Sequence, residues 1–159
     1  MRRQPVAQRR ALHFDDLSQV MAEVERLRAG YERVGNWSLA QVCKHLSDSV
    51  NGAIDGFDLR RRRLERWFLA KPLLWLTYRY GIPSGYTIDP KLTPPPDVEL
   101  APAVEELRRA VERYQAYAGP LQPHPLFGRL SRPEWDRMQC FHCAHHLRFL
   151  IPTSPRTHP

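Results

Sequence analysis

The stretch SRPEWDRMQCFHCAHHLRFL, residues 131–150, decides the fold. Its first four residues, Ser131-Arg-Pro-Glu134, form a capping box: the serine hydroxyl accepts from the backbone near Glu134, and the glutamate reaches back to the serine N–H. Pro133 is tolerated in a first helical turn. At about 100° per residue, Trp135, Met138, Gln139, His142, His146, Phe149 and Leu150 then share one side of a helix reaching about Leu150, ahead of Pro152. Two histidines at the centre of an otherwise apolar stripe are the informative feature, because buried imidazoles need partners. An i, i+4 pair can aim two ring nitrogens at one point, which is how helical His-x-x-x-His pairs hold a metal. His145 falls at the edge of the stripe, where it supports the site or reaches solvent.

Working outward, prolines mark where other helices lie. None occurs between Pro5 and Pro72, and clusters follow at 83–102, 120–125 and 152–159. Leu17, Val20, Met21, Val24 and Leu27 give a first helix from about Asp15 to Ala29, with Gly30 as a stop. Ser38-Leu-Ala-Gln41 is a second capping box, and Trp37 before it can pack on the first turn. It opens a helix whose apolar stripe runs through Leu39, Val42, Cys43, Leu46, Val50, Ala53, Ile54 and Phe57. His45 lies beside Val42 and Leu46. Leu64 to Tyr80 reads as a connecting segment of helical turns interrupted by Pro72. Residues 81–101 read as a long crossover, and a third main helix carries Val104, Leu107, Val111 and Tyr114 inward, with Glu105 and Glu106 outside. Four substantial helices and a crossover between the second and third make an all-α four-helix bundle. The expected organisation is a basic N-terminal arm over 1–13, one helical domain over 14–151 and a Pro-rich tail over 152–159.

An open metal site needs about three protein ligands. His45 can join His142 and His146 in a facial three-histidine set. The bland alternative is three packed histidines that donate to carbonyls. It is weaker here, because two of them occupy one apolar face.

These residues resemble the DinB-like superfamily of bacterial four-helix bundles. The resemblance rests on Asn36-Trp-Ser38 opening a helix, His45-Leu46 within it, and His142-Cys-Ala-His145-His146-Leu-Arg148. The segment His124-Pro-Leu-Phe-Gly-Arg-Leu-Ser-Arg-Pro-Glu-Trp135 resembles one branch, named only as domain of unknown function 1569. The resemblance spans the first helix to Phe149. It implies a divalent metal, nickel or zinc, held at the positions of His45, His142 and His146. Related members include metal-dependent enzymes that use low-molecular-weight thiols such as mycothiol or bacillithiol to transfer or isomerise groups. The implied function is thus a thiol-dependent transferase or a metal-dependent hydrolase acting on an unknown small molecule. Ala144 stands where many members have an acidic residue, and Phe149 where glutamine is common, which alters the hydrogen bonding behind the ligands. His145 and Arg148 are candidates for support of the site or contact with substrate. His124 could do the same, although the favoured reading makes it a loop histidine capping a turn.

The 24 lysines and arginines against 17 acids give the 159-residue chain a net charge of +7. Arg2, Arg3, Arg9 and Arg10 form one patch and Arg60, Arg61, Arg62 and Arg63 another; without them the chain is nearly neutral. Two local patches make a nucleic-acid-binding surface the weaker alternative, resting on Arg60–Arg63; that run can also draw an anionic ligand, and it best suits a solvated helix end. The aromatics after it, Trp67 to Tyr80, cover the bundle or form a homodimer contact. The apolar stretch Trp67–Tyr78 is too short to span a membrane, which takes roughly 20 residues. Cys43 belongs to the apolar stripe. The odd count of three cysteines, with Cys140 and Cys143 in a C-x-x-C that lacks a βαβ setting, fits a reducing cytoplasm and packed thiols better than a redox motif. A non-catalytic helical scaffold is the competing reading of the whole chain.

Overall fold

A computed structural model describes residues 10–57, 67–82 and 92–153. The Arg60–Arg63 run, most of the N-terminal arm, the middle of the crossover and most of the C-terminal tail lie outside the described residues. In chain order the elements are α1 (Ser18–Arg28), β1 (Tyr31–Arg33), α2 (Leu39–Asp55), α3 (Trp67–Tyr80), α4 (Leu100–Ala116), α5 (Arg132–Leu147) and β2 (Leu150–Pro152). The described chain is mostly helical, with five helices and one small antiparallel sheet.

Both capping boxes form. The Ser38 hydroxyl accepts from the Gln41 N–H while the Gln41 side chain accepts from Ser38 N–H. Ser131 and Glu134 do the same at the start of α5. α2 ends at Gly56, whose φ of 90° suits glycine. The core is built from the predicted stripes: Val20, Val24 and Leu27 of α1, Leu39 to Ile54 of α2, and Val104, Leu107, Val111 and Tyr114 of α4 are buried together. α2 and α4 form the most extensive helix pair. Each buried Leu or Val contributes about 1.5–3 kcal/mol.

α5 is buried more broadly than one stripe. Trp135, Met138, Cys140, Cys143, Ala144, His145 and Leu147 all avoid solvent. Its N-terminus is fastened to the end of α4 by Arg132, which donates to the Tyr114 and Tyr117 carbonyls and pairs with Asp136. Tyr114 adds its hydroxyl to the same carboxylate at 2.8 Å.

Three features differ from the expectation. α3 runs unbroken through Pro72, because a single missing N–H on an exposed face is a local loss that flanking turns absorb. α5 stops at Leu147, since Leu150 enters β2 and pairs with Arg33 of β1. Two strands of three residues each are too short to show alternation. Arg10, grouped with the basic arm, is held against the body by Glu23 and the Leu147 carbonyl.

Candidate metal centre

α2 and α5 bring His45, His142 and His146 together, with ligand-capable nitrogens all within 4.8 Å of one another. His142 Nε2 lies 3.2 Å from His45 Nε2 and 3.0 Å from His146 Nε2. The three rings remain partly accessible. Trp37, just ahead of the α2 cap, stacks on His146 with ring centroids 5.2 Å apart and leans over His45 at 4.9 Å.

The far sides of two rings are fixed. His45 Nδ1 donates to the Leu92 carbonyl at 2.9 Å. That tautomer leaves its Nε2 bare and facing the other rings. His142 Nδ1 meets the Ser49 hydroxyl at 3.2 Å. Ser49 follows His45 by one turn, and its carbonyl accepts from buried Gln139 of α5. Such contacts behind a ligand set its ring orientation and basicity.

Neutral tautomers leave the two contacts at His142 Nε2 one proton between them. Burial pushes His142 and His146 well below the ordinary histidine range, and neighbouring imidazoles add to the effect. Burial also lowers His45, partly offset by the Leu92 carbonyl. The rings are therefore neutral near pH 7. With His45 Nε2 bare, the only proton for its contact with His142 sits on His142 Nε2. The contact with His146 then has no proton of its own, because His142 Nε2 has no lone pair left to accept one. A divalent cation resolves both contacts, since neutral imidazole nitrogens are what such ions take. Nitrogens about 2.0–2.1 Å from one ion stand roughly 2.9 Å apart at a right angle and roughly 3.4 Å apart at the tetrahedral angle. The two short contacts fall between those limits, as expected of neighbouring ligands on one ion, and the third pair lies within 4.8 Å.

The other candidates take other places. His145 is buried, not at a solvent edge. Its ring is edge-on to His146 at 4.9 Å, and its Nδ1 meets Arg148 at 3.1 Å. Arg148 thus reaches His145, and its charge also helps to lower His146. His124 caps a turn as expected: its Nδ1 accepts from the Leu126 and Phe127 N–H groups. Burial against Phe127 and Trp135 pushes it down to about 3. Phe149 packs edge-on to His145 and beside Gly35. Cys43, Cys140 and Cys143 are free and buried, and burial raises all three thiols, Cys43 to about 12 and Cys140 to about 11. They are packing groups and not nucleophiles.

Sequence reasoning missed Ser49 and Leu92. Ser49 had a signal, because it shares the face of His45 one turn on. The Leu92 carbonyl had none, since backbone acceptors carry no residue signature.

No curated protein and no solved structure matches the chain. Residues 6–153 match the family described as a protein of unknown function, DUF1569. With nearly its whole length matched, including both helices that carry the triad, the chain belongs to the DUF1569 family.

Proposed function

We propose that this protein is a DinB-like four-helix-bundle metalloprotein in which His45, His142 and His146 hold a divalent ion, nickel or zinc, and support chemistry on a small molecule. The observation that carries this reading is that His142 Nε2 lies 3.0 Å from His146 Nε2 and 3.2 Å from His45 Nε2, two contacts with one proton between them. When bound, the ion would supply Lewis-acid polarisation and a lowered pKa for a coordinated thiol or water. The chain's own residues do the rest. Leu92 and Ser49 present the ligand nitrogens, and Trp37 walls one side, leaving partly accessible rings for a substrate to approach. A thiol-dependent transfer or a hydrolysis suits such a centre. A homodimer would use the exposed face of α3, where Leu73, Trp75, Leu76 and Tyr80 meet solvent. Three buried, unpaired cysteines support a reducing cytoplasm as its location.

Metal analysis of protein purified without a polyhistidine tag tests the centre. We expect about one divalent ion per chain in the wild type and none in His142→Ala, as an open site with three ligands requires. Equal metal in both removes the proposal. Metal whose coordination is filled entirely by protein favours a scaffold over an enzyme.

A further inference from the structure

α3 presents more apolar surface outward than a helix that only covers a core requires. Its inward face is narrow. Ala70, Leu74 and Tyr78 lie within about 80° of one another, and Leu74 packs against Phe127 and Met138 in a small second cluster. On the other side Pro72, Leu73, Trp75, Leu76, Arg79 and Tyr80 span about 160°, and all six are exposed. Trp75 is 61% exposed and Tyr80 74%.

Two observations bear on what covers this face. The first is charge. α3 carries Lys71 and Arg79 and no acid. Lys71 pairs with Glu134. Neither Arg79 nor Arg137, which lies over the Tyr78 ring at 4.2 Å, has a carboxylate partner among the described residues. The chain as a whole carries +7, so the complement of this face is negative. The second is size. Leu73, Trp75, Leu76 and Tyr80 together offer on the order of 400 Å² of apolar surface. A standard protein interface takes about 800 Å² from each partner. Pairing with a second copy would fall short of that area and set one cationic face against another. A lipid surface needs no matched area. It accepts tryptophan and leucine at the boundary of headgroups and acyl chains, tyrosine at headgroup level, and arginine against lipid phosphates.

We propose that the outward face of α3 docks on an anionic lipid bilayer, with the helix lying along the surface. None of the described helices is long and apolar enough to cross a membrane. Docking uses no residue of the histidine triad and requires no metal. Co-sedimentation of the full chain with phosphatidylcholine vesicles, pure or carrying about 30% phosphatidylglycerol, tests it. The wild type should bind the anionic vesicles at least about tenfold more tightly than the neutral ones, and less tightly as salt rises. Trp75→Ser should weaken that binding about tenfold, because it withdraws a ring from the boundary, and Arg79→Gln about fivefold. Both positions are exposed, so both variants keep the fold. Undiminished binding in Trp75→Ser would assign the attraction to cations elsewhere in the chain and overturn the proposal. Equal or absent binding to the two kinds of vesicle would also overturn it. So would a dimer in analytical ultracentrifugation that Trp75→Ser dissolves and anionic vesicles leave intact, since the face would then belong to a second copy.

Discussion

Ser49 shows what one hydroxyl can do at this centre. It is the contact behind His142, and removing such a group from behind a ligand typically weakens metal binding 10–100-fold. Ser49→Ala should therefore lower zinc affinity about tenfold in a competition titration with a chromophoric chelator; unchanged affinity would show that His142 is held by packing alone. His124 sets a different expectation. Its pKa is about 3 in the fold and about 6.5 in an unfolded chain. Between those values the unfolded chain binds a proton that the folded one refuses, so stability falls as pH drops through that window. At pH 5 the loss is about 2 kcal/mol. His124→Asn keeps an acceptor for the two N–H groups and cannot charge, so urea unfolding at pH 7.5 and 5 should show a smaller acid loss in the variant. The same loss in both proteins would sink this assignment. The triad was legible because i, i+4 spacing on an apolar stripe survives folding unchanged. The burial of His145 was not, since the residues that cover it come from the segment before α1 and from beyond α5, and periodicity carries no information about distant chain.

At the level of elements, the capping boxes were readable because they are local. Ser38 with Gln41 and Ser131 with Glu134 need only four consecutive residues. Ser131→Ala should cost about 1 kcal/mol of stability, measured by denaturant unfolding, and should little affect any metal binding at the triad, because His142 sits more than two turns away. A loss below a few tenths of a kcal/mol would mean that Arg132 and Asp136 hold the end of α5 without the cap. α3 teaches the opposite lesson. Pro72 was read as an interruption, yet its helix continues with Ala70 and Leu74 buried. Leu74 is sealed by Phe127 and Met138 from elsewhere in the chain, and that packing outweighs one lost backbone bond.

For the whole molecule, binding and stability are linked. Any ion that occupies the folded triad and not the unfolded chain raises the melting temperature, by about 2.7 kcal/mol of stability at a hundredfold excess over Kd. Nickel or zinc should raise the Tm of the wild type, a chelator should reverse the rise, and His142→Ala should show neither effect in a thermal melt. A Tm indifferent to both ions would leave the three rings as packing. The mostly helical character was visible from proline spacing and apolar stripes. How far α3 stands from the main core was not, because a short apolar helix reads alike whether central or peripheral.

The small sheet has a consequence for where the chain loosens. Local opening begins where few contacts hold the backbone, and short strands at the margin of a fold are such places. Here β2 is stitched to β1, and the stitching extends from Val34 N–H on the Phe149 carbonyl to Thr153 N–H on the Gly30 carbonyl. Unzipping from the C-terminal side must therefore undo Thr153 and then the ladder down to Leu150 before it reaches His146. The clasp moves the boundary of local melting away from the triad, so two of its three nitrogens sit on a helix whose last turn behaves as chain interior.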